Sequence, residues 1–440
     1  MKTDLILASR SIFTSTEDKP FAGYIIVSDG RIAAVEKGPV PEELKKEAAF
    51  QDLGSKTVTA GFTDVHCFFT GHAISIAAKE KRCGFNETNC DPEQNVELLP
   101  NLLGDRDFII PLFKQYMEMM NRAGVTCVKE MGFDDFSGFP ELLEELEKEQ
   151  AMTLRVHFMS QPVGKPMSLD FGRKMRERLT GEFVRFSGYN RMTDGSVSEL
   201  CADLKKPYLC ADTTCAMEID WEKLGNDTRN ADAEGFRFSL HAQGDAAIAK
   251  VLDIYDTCRK DADGRLMNRH SITDLEFSDP ADLERMGRIG AIAEIYPQIQ
   301  SIANRKDKLA MIDEKIGAER GRFYWNRRKM ADSGVTISCG TDLPLLYDNI
   351  PESIYHAVGG FFPEGGEPFN KDNMLKISEL LKAWTYGGAY NLGLEKELGS
   401  IEAGKKADLV VFDDCLFDTP VEKIRERHVT QTYINGKRVF

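Results

Sequence analysis

Residues 59–68 read Thr-Ala-Gly-Phe-Thr-Asp-Val-His-Cys-Phe, an apolar run that predicts a β-strand with a single histidine near its end. Alternate side chains of a strand point to the same face, so His66 and Phe68 should share one face and Cys67 should lie on the other. We therefore expect an imidazole and a phenyl ring side by side at this strand end. Cys67 is expected to be a buried thiol in the wall behind them.

Further strand-like runs follow, separated by helical patterns. The eight candidate strands are residues 58–66, 125–130, 154–159, 183–188, 236–241, 270–275, 291–296 and 335–340. Helices are predicted over residues 140–150 and 245–260, where apolar residues recur with helical spacing. Alternating strands and helices predict a parallel α/β fold, and eight strands suit a TIM (β/α)8 barrel. Residues 71–107 lack such periodicity and are expected to form a loop over the barrel mouth.

The two ends of the chain have a different pattern from the middle. Strand-like runs surround Asp29-Gly30 near the amino terminus and Asn435-Gly436 near the carboxyl terminus, and both pairs are typical of two-residue hairpin turns. A further strand is predicted over residues 407–413. These features predict one small β-sandwich made of residues 1–58 and 400–440, with the barrel formed by residues 59–399.

Composition limits the classes of function. The chain has 440 residues and a net charge of −15, which argues against a nucleic-acid partner because such binding needs clustered Lys and Arg. No apolar run approaches the roughly 20 residues that cross a bilayer, so no membrane partner is expected and the expected compartment is the cytoplasm. The ten cysteines contain no Cys-x-x-Cys pair and are expected to be reduced. The expected partner is a small-molecule substrate, and self-association is left open.

Several motifs together resemble the amidohydrolase superfamily, and more narrowly its amidohydrolase-3, YtcJ-like group. They are Gly61-Phe62-x-Asp64-x-His66, Thr193-Asp-Gly-Ser196, His241-Ala-Gln-Gly-Asp245, Arg269-His-Ser-Ile-Thr-Asp274, Gly340-Thr-Asp-Leu-Pro344 and the long segment 398–413. The resemblance extends over nearly the whole chain. It implies a TIM barrel, a β-sandwich of both termini, and hydrolysis of carbon–nitrogen bonds at a metal centre.

The resemblance also shows where the metal site is altered. His66 matches the first metal ligand, but Phe68 stands at the position of the second histidine. Asn190 falls where relatives carry a lysine that can be carbamylated to bridge two metals, and an amide cannot supply that anionic bridge. A two-metal centre is therefore not expected.

A single metal ion remains compatible with the sequence. His241 matches the strand-five ligand, Asp342 matches the strand-eight aspartate, and Asp274 stands where the strand-six histidine is expected. With His66 these residues offer two imidazoles and two carboxylates, which suit one divalent ion, with zinc expected first and Mn²⁺ or Fe²⁺ as alternatives. Asp342 is also the predicted catalytic base.

The predicted function is hydrolysis of a non-peptide carbon–nitrogen bond, in an amide, an N-acyl compound or a cyclic amide, by a metal-activated water. Asn190 and Gln243 are the predicted substrate-binding residues. His72 is an alternative source of the missing imidazole. Two other hypotheses stay open. One is a metal-free barrel that binds a small molecule, and the other is a lyase or isomerase that uses Asp342 and His241 as acid and base.

Overall fold

A computed structural model describes residues 3–46, 48–91, 95–132, 138–162 and 165–440. The amino-terminal part contributes five strands: β1 (Leu5–Ile12), β2 (Phe21–Ser28), β3 (Arg31–Lys37), β4 (Ala49–Asp52) and β5 (Thr57–Ala60). Strand β1 pairs antiparallel with β2 and parallel with β4 and β5. Asp29 and Gly30 have φ values of 50° and 74° in the turn between β2 and β3, as the hairpin prediction requires.

The middle of the chain forms an eight-stranded parallel barrel. Its strands are β6 (Phe62–Cys67), β7 (Val125–Met131), β8 (Arg155–Ser160), β9 (Val184–Met192), β10 (Arg237–Ala242), β11 (Ser271–Asp274), β12 (Ile292–Ile295) and β13 (Thr336–Cys339). They follow one another in chain order around the sheet. The barrel closes between its first strand and the segment after its last strand. There Cys67 forms a parallel β-bridge with Leu343, and the Asp342 N–H donates to the His66 carbonyl at 2.7 Å. The predicted TIM barrel is confirmed.

One predicted strand proves to be two. The run over residues 58–66 is interrupted at Gly61, so that β5 belongs to the terminal sheet and β6 begins the barrel. A Cβ atom at Gly61 would lie 2.3 Å from Oγ1 of Thr126, which no real side chain tolerates. Glycine is therefore required where the chain passes from one sheet to the other.

Helices surround the barrel. They are α1 (Phe69–Glu80), α2 (Leu99–Gly104), α3 (Arg106–Arg122), α4 (Phe139–Lys148), α5 (Leu169–Arg178), α6 (Trp221–Ala233), α7 (Asp245–Asp256), α8 (Pro280–Ile289), α9 (Arg305–Lys315), α10 (Ala318–Gly321), α11 (Arg327–Asp332), α12 (Ile350–Ala357), α13 (Ile377–Lys382) and α14 (Gly388–Leu392). The two predicted helices correspond to α4 and α7. The prediction of a loop over residues 71–107 is wrong in part, because the greater part of α1, the whole of α2 and the start of α3 lie in that stretch. Residues 92–94 lie outside the described ranges. Buried Ala73, Ile74, Ala77 and Ala78 pack α1 into the main core.

The carboxyl-terminal part returns to the first sheet with β14 (Leu409–Phe412), β15 (Val429–Ile434) and β16 (Lys437–Arg438). Strand β14 pairs with β5, so both termini form one separate β domain, as expected. The exact domain boundaries stay a prediction. All ten cysteines are free. Within the described ranges, no helix combines the length and apolar character needed to cross a membrane.

Candidate active site

The four predicted metal ligands lie at the carboxyl ends of barrel strands. His66 and His241 are the last residues but one of β6 and β10. Asp274 is the last residue of β11, and Asp342 follows β13. They meet as two pairs. His66 Nε2 lies 3.8 Å from Oδ1 of Asp342, and His241 Nε2 lies 3.2 Å from Oδ2 of Asp274. Active sites of TIM barrels form at this end.

The backbone at both aspartates adopts an uncommon conformation. Asp274 has φ of 79° and Asp342 has φ of 53°, in the left-handed region that residues with a Cβ seldom occupy. Such positions cost about 1–3 kcal/mol each and persist only where neighbouring contacts impose them. At Asp342 those contacts are its N–H, which donates to the His66 carbonyl at 2.7 Å, and its carbonyl, which accepts from the Leu345 N–H at 2.8 Å. This cost is typical of residues held for function.

The two histidines differ in their electrostatic environments. Burial lowers the pKa of His66, although nearby Glu294 acts in the opposite direction. Burial also acts to lower the pKa of His241, but its hydrogen bond to Asp274 and the charges of Asp194 and Asp342 together raise it. Thus the His66 ring is held neutral, the form in which imidazole binds a metal. The protonated form of His241 is stabilised by Asp274, Asp194 and Asp342 together, with Asp274 in direct contact.

Asp342 has the environment of a proton acceptor that works near neutral pH. Burial raises its pKa to about 7, the negative charge of Asp274 adds to the effect, and His241 opposes it. Its side chain nevertheless keeps 31% of its surface exposed, so water reaches the carboxylate. A base with a pKa close to the working pH is efficient in proton transfer.

Phe68 lies beside His66, with ring centroids 5.4 Å apart in an edge-to-face arrangement. A phenyl ring occupies the space next to the imidazole and offers no lone pair. Cys67 is fully buried on the opposite side, where its Sγ lies 3.4 Å from the Tyr116 hydroxyl, and burial raises its pKa well above the usual range. The thiol is therefore part of the barrel wall.

Of the two predicted substrate-binding residues, Gln243 lies beside His241 and Asn190 is buried inside the barrel. Gln243 Nε2 lies 3.2 Å from His241 Nε2, and its backbone N–H donates to Asp194 at 2.9 Å. Asn190 is fully buried on β9, where its Nδ2 donates to Gln161 Oε1 at 2.6 Å. Its Oδ1 is buried without a hydrogen-bond partner among the described residues. The roles of both residues stay predictions.

His72 lies on α1, and its ring contacts are with two tyrosines. The ring centroids are 6.2 Å from Tyr116 and 6.1 Å from Tyr347. Burial lowers its pKa, and its Nδ1 is buried without a partner in the described part of the chain. No ion pair or hydrogen bond between His72 and the four candidate ligands is present among the described residues.

The sequence analysis missed a charged pair inside the barrel. Lys129 on β7 and Glu294 on β12 are both fully buried and contact each other directly. Glu294 Oε1 also accepts from Asn391 at 2.9 Å, and Lys129 donates to Asn391 Oδ1 at 3.1 Å. Glu294 Oε2 lies 3.6 Å from Nδ1 of His66, whereas Asp342 lies on the Nε2 side of the same ring. Strand alternation over residues 125–131 was the signal that could have placed Lys129 inside.

Tyr296 was also missed. It directly follows β12, and its ring centroid lies 5.5 Å from that of His66. Its hydroxyl is buried without a hydrogen-bond partner among the described residues. Burial, together with the negative charges of Asp342 and Asp274, raises its pKa well above the usual range. Tyr296 therefore keeps its proton and has a hydrogen bond to donate.

The donors present fit one divalent ion in their chemistry. Each of the two pairs spans a distance close to the ~3.4 Å that separates two ligands of a tetrahedral zinc ion. Nδ1 of His66 and Nδ1 of His241 are both buried without a hydrogen-bond partner in the described ranges, so neither ring is fully committed to protein contacts. Among the described residues, no three of these four have ligand atoms that all lie within 4.8 Å of one another.

Another group of possible donors has a structural explanation. Asp232, Cys258 and His270 have ligand atoms within 4.8 Å of one another. However, His270 Nδ1 accepts from the Phe238 N–H at 3.0 Å, and its Nε2 lies 2.9 Å from Asp232 Oδ1. Both ring nitrogens are thus occupied by protein partners. This group links α6 to the strands, and nothing else is assigned to it.

Comparisons with known proteins agree with the barrel fold. Over 267 residues the chain is 25% identical to the putative amidohydrolase YtcJ of Bacillus subtilis, a match that covers 60% of this chain and 49% of that protein. It is 24% identical over 464 residues to imidazolonepropionase of Treponema denticola, covering 99% and 97% of the two chains. The match thus spans about half the length of the YtcJ relative.

A solved structure and a family profile complete the comparison. An uncharacterized metal-dependent hydrolase from Pyrococcus horikoshii superimposes with a TM-score of 0.72 at 18% identity, covering 93% of this chain and 97% of the other, and this likeness shows a shared fold. The profile of the amidohydrolase family matches residues 101–440, a region that includes His241, Asp274 and Asp342. The chain belongs to the amidohydrolase family.

Proposed function

We propose that this chain is a metal-dependent hydrolase that cleaves a non-peptide carbon–nitrogen bond. The observation that carries the proposal is the convergence of His66, His241, Asp274 and Asp342 at one end of a barrel of the amidohydrolase family. The substrate class we infer is an amide, an N-acyl compound or a cyclic amide. Membership of the family supports a metal cofactor, and a single zinc ion is our proposal for it.

His66, His241, Asp274 and Asp342 would hold the ion. A bound divalent ion supplies a water whose pKa falls towards 7. Asp342 would accept a proton from the attacking water as the water oxygen bonds to the carbonyl carbon. The same carboxyl group would then give the proton to the leaving nitrogen as the carbon–nitrogen bond breaks. A pKa of about 7 lets Asp342 serve in both steps.

Two neutral side chains are our proposed contacts for the substrate's amide and carbonyl groups. The Tyr296 hydroxyl keeps its proton, and we infer that it donates a hydrogen bond to the carbonyl oxygen as negative charge develops there. Gln243, which is partly exposed beside His241, is the proposed contact for the amide group of the substrate. Neither role requires a change in the charge of the residue.

The surface around the strand ends supports an apolar substituent on the substrate. Four apolar side chains at or beyond strand ends are exposed: Met192 by 47%, Ile302 by 56%, Leu345 by 47% and Tyr347 by 48%. Met192 is the last residue of β9, and the other three follow β12 or β13; the carboxyl ends of these strands lie on the same side of the barrel. An N-acyl chain or an aromatic amide would cover this surface, and a small polar amide would not.

A metal-free binding protein is the second candidate. The specific observation that favours it is the arrangement of the four side chains as two pairs, in each of which an imidazole already contacts a carboxylate. In that case His241 and Asp274 form a permanent ion pair. The bound small molecule would then occupy the same mouth without turnover.

Metal content and turnover separate the two candidates. Protein purified without chelators is analysed for metals and then assayed against N-acyl amino acids, aromatic amides, cyclic amides and N-acylprolines. The hydrolase proposal expects about one metal per chain and turnover that is lost on chelation and regained with zinc. Protein that binds no added zinc, and that turns over no compound with or without it, would refute the proposal. N-acylproline as the best substrate would overturn only the non-peptide assignment.

A further inference from the structure

A second cavity lies at the end of the barrel opposite the candidate active site. Its volume is about 420 Å³, and its lining includes His157 on β8, Arg185 on β9, Arg237 at the start of β10, and Arg269 just before β11. Arg176 of α5 completes the basic lining. These positions are at or near the amino-terminal ends of the strands, whereas His66 and Asp342 lie at the carboxyl ends. We call this cavity the arginine pocket.

The arginine pocket is unusually positive for this chain. The protein as a whole carries a net charge of −15, yet no Asp or Glu is among the residues that line the pocket. Arg269 is neutralised by Glu395 through two hydrogen bonds of 2.7 Å. Among the described residues, Arg176, Arg185 and Arg237 have no carboxylate within ion-pair distance. Three guanidinium groups therefore face one cavity without a counter-charge.

Arg237 is the central member of this group. Its Nη1 donates to the Ser187 hydroxyl, while its Nε is buried without a partner in the described part of the protein. A Cβ atom at Gly393 would lie 3.5 Å from Nη2 of Arg237 and 3.9 Å from Nη1 of Arg269, so the two guanidinium groups approach the same point. Glycine leaves that space open.

Two titration shifts reflect the same positive field. Burial lowers the pKa of Arg237 to about 10, and the neighbouring charge of Arg269 adds to the effect. Burial, with the charges of Arg237, Arg185 and Arg155, lowers the pKa of His157 to about 3. Arg176 differs from these two residues in being exposed, so water screens its charge. A bound anion would relieve this unfavourable arrangement.

Apolar side chains form part of the remaining wall, beside the polar side chains of Ser187 and Asn268. Phe186, Phe236, Leu392 and Leu394 line the cavity, and the Arg176 guanidinium stacks on the Phe236 ring with 4.2 Å to its centroid. A guanidinium group matches the oxygens of a phosphate in a bidentate way, and several of them can share one phosphate. The volume is in the range of small-molecule sites and exceeds what phosphate alone requires.

We propose that the arginine pocket is a second binding site for a small organic phosphate, with the phosphate group held by Arg185, Arg237 and Arg176 and an apolar body against Phe236 and the leucines. The site is separate from the proposed hydrolase centre, since it lies at the other end of the barrel. Its occupant therefore need not be a substrate. The proposal does not depend on the reaction that the chain catalyses.

The test uses phenyl phosphate, inorganic phosphate and phthalate as probes of the full-length protein. Binding is measured by calorimetry and by the shift of the unfolding midpoint, in sodium chloride adjusted to equal ionic strength. We expect phenyl phosphate to bind and to raise the midpoint, and inorganic phosphate to bind more weakly. Arg237→Gln and Arg185→Gln should each weaken phenyl phosphate binding by about tenfold or more, because each removes a charged hydrogen-bond donor.

Arg178→Gln is the matched control. Arg178 lies on α5 with Arg176, but its guanidinium pairs with Glu141 and Glu144 outside the pocket. This variant loses the same charge and should keep the affinity within about twofold of the starting protein. If Arg237→Gln does not fold, as judged by circular dichroism, Arg185→Gln decides the matter alone.

Three results would overturn the proposal. The first is that phenyl phosphate shows no binding beyond the salt control at about 10 mM, a concentration taken as an order-of-magnitude upper limit for the Kd of a specific site. The second is equal loss of binding in Arg178→Gln and in the two pocket variants, which would mean non-specific attraction. The third is tighter binding of phthalate than of phenyl phosphate, which would assign the pocket to dicarboxylates instead.

Discussion

Replacing Lys129 by methionine tests whether the charged pair inside the barrel is as interdependent as its contacts indicate. Lys129 and Glu294 are fully buried, so neither charge is solvated by water. In Lys129→Met the methylene stem is retained and the ammonium group is lost. The Glu294 carboxylate then remains in the barrel without its cationic partner.

The size of the effect follows from what Glu294 retains. Breaking a buried ion pair on one side costs about 3–5 kcal/mol of unfolding free energy. Glu294 would keep hydrogen bonds from Ser239 at 3.1 Å, Thr273 at 2.7 Å and Asn391 at 2.9 Å. These neutral donors offset part of the loss, so we expect the lower end, about 3 kcal/mol. With an unfolding entropy of about 2.1 cal/mol/K per residue, that corresponds to roughly 3 °C for a chain of this length.

Scanning calorimetry at pH 7 measures the change. Lys329→Met is the matched control, since Lys329 lies on the surface in an ion pair with Glu284, and it should change the free energy by at most about 0.5 kcal/mol. The double variant Lys129→Met/Glu294→Gln removes both charges and should recover most of the loss. A single variant as stable as the starting protein, or a double variant as unstable as the single one, would contradict this reasoning.

Three further predictions concern the mouth and the wall of the barrel. Asp342→Asn should lower turnover by ~10²–10⁴-fold while leaving the unfolding midpoint nearly unchanged, because the amide cannot accept the proton; a near-normal rate would refute the role of base. Metal analysis should find at most one ion per chain, and Phe68→His should not raise this to two, because Asn190 cannot bridge metals; two ions in either protein would contradict it. Burial raises the pKa of Glu130 to about 8. In the unfolded chain this carboxyl group ionises near pH ~4.3, whereas in the folded chain it keeps its proton up to about pH 8, so the free energy of unfolding falls as the pH rises between these values. Glu130→Gln should therefore raise the unfolding midpoint more at pH 8 than at pH 5, and an equal shift at both would be the contrary result.

The fold was accessible from sequence because its signals are local. Hairpin pairs at Asp29-Gly30 and Asn435-Gly436 and the alternation of strands with helices each depend on a few neighbouring residues. Two predictions failed, one because the deciding contact is distant in sequence and the other because the local pattern is weak. The first strand was not divided at Gly61, because the reason for that glycine is its approach to Thr126, which is distant in sequence. Helix α1 was missed since its small buried residues, among them Ala73 and Ala77, form a weakly amphipathic pattern.

The candidate site was predictable only in part for a related reason. His66 and Asp342 end strands that the sequence marks clearly, and their pairing follows from barrel closure between β6 and β13. The contact of His241 with Asp274 likewise follows from adjacent strands. Tyr296 and the partners Lys129 and Glu294 have no such mark, because a polar residue within an apolar strand has meaning only when its contacts across the barrel are known.

The altered residues at the mouth are better explained by a retained function than by loss of one. A site free of selection would be expected to lose the left-handed backbone of Asp274 and Asp342, because each costs about 1–3 kcal/mol and an asparagine or glycine would relieve it. Instead both carboxylates remain, each faces an imidazole, and Glu294, which forms a fully buried ion pair with Lys129, lies 3.6 Å from Nδ1 of His66. A carboxylate behind a metal-binding histidine is the arrangement that increases its basicity as a ligand. On the proposed function, Phe68 would therefore remove one metal position and leave the supports of the other in place.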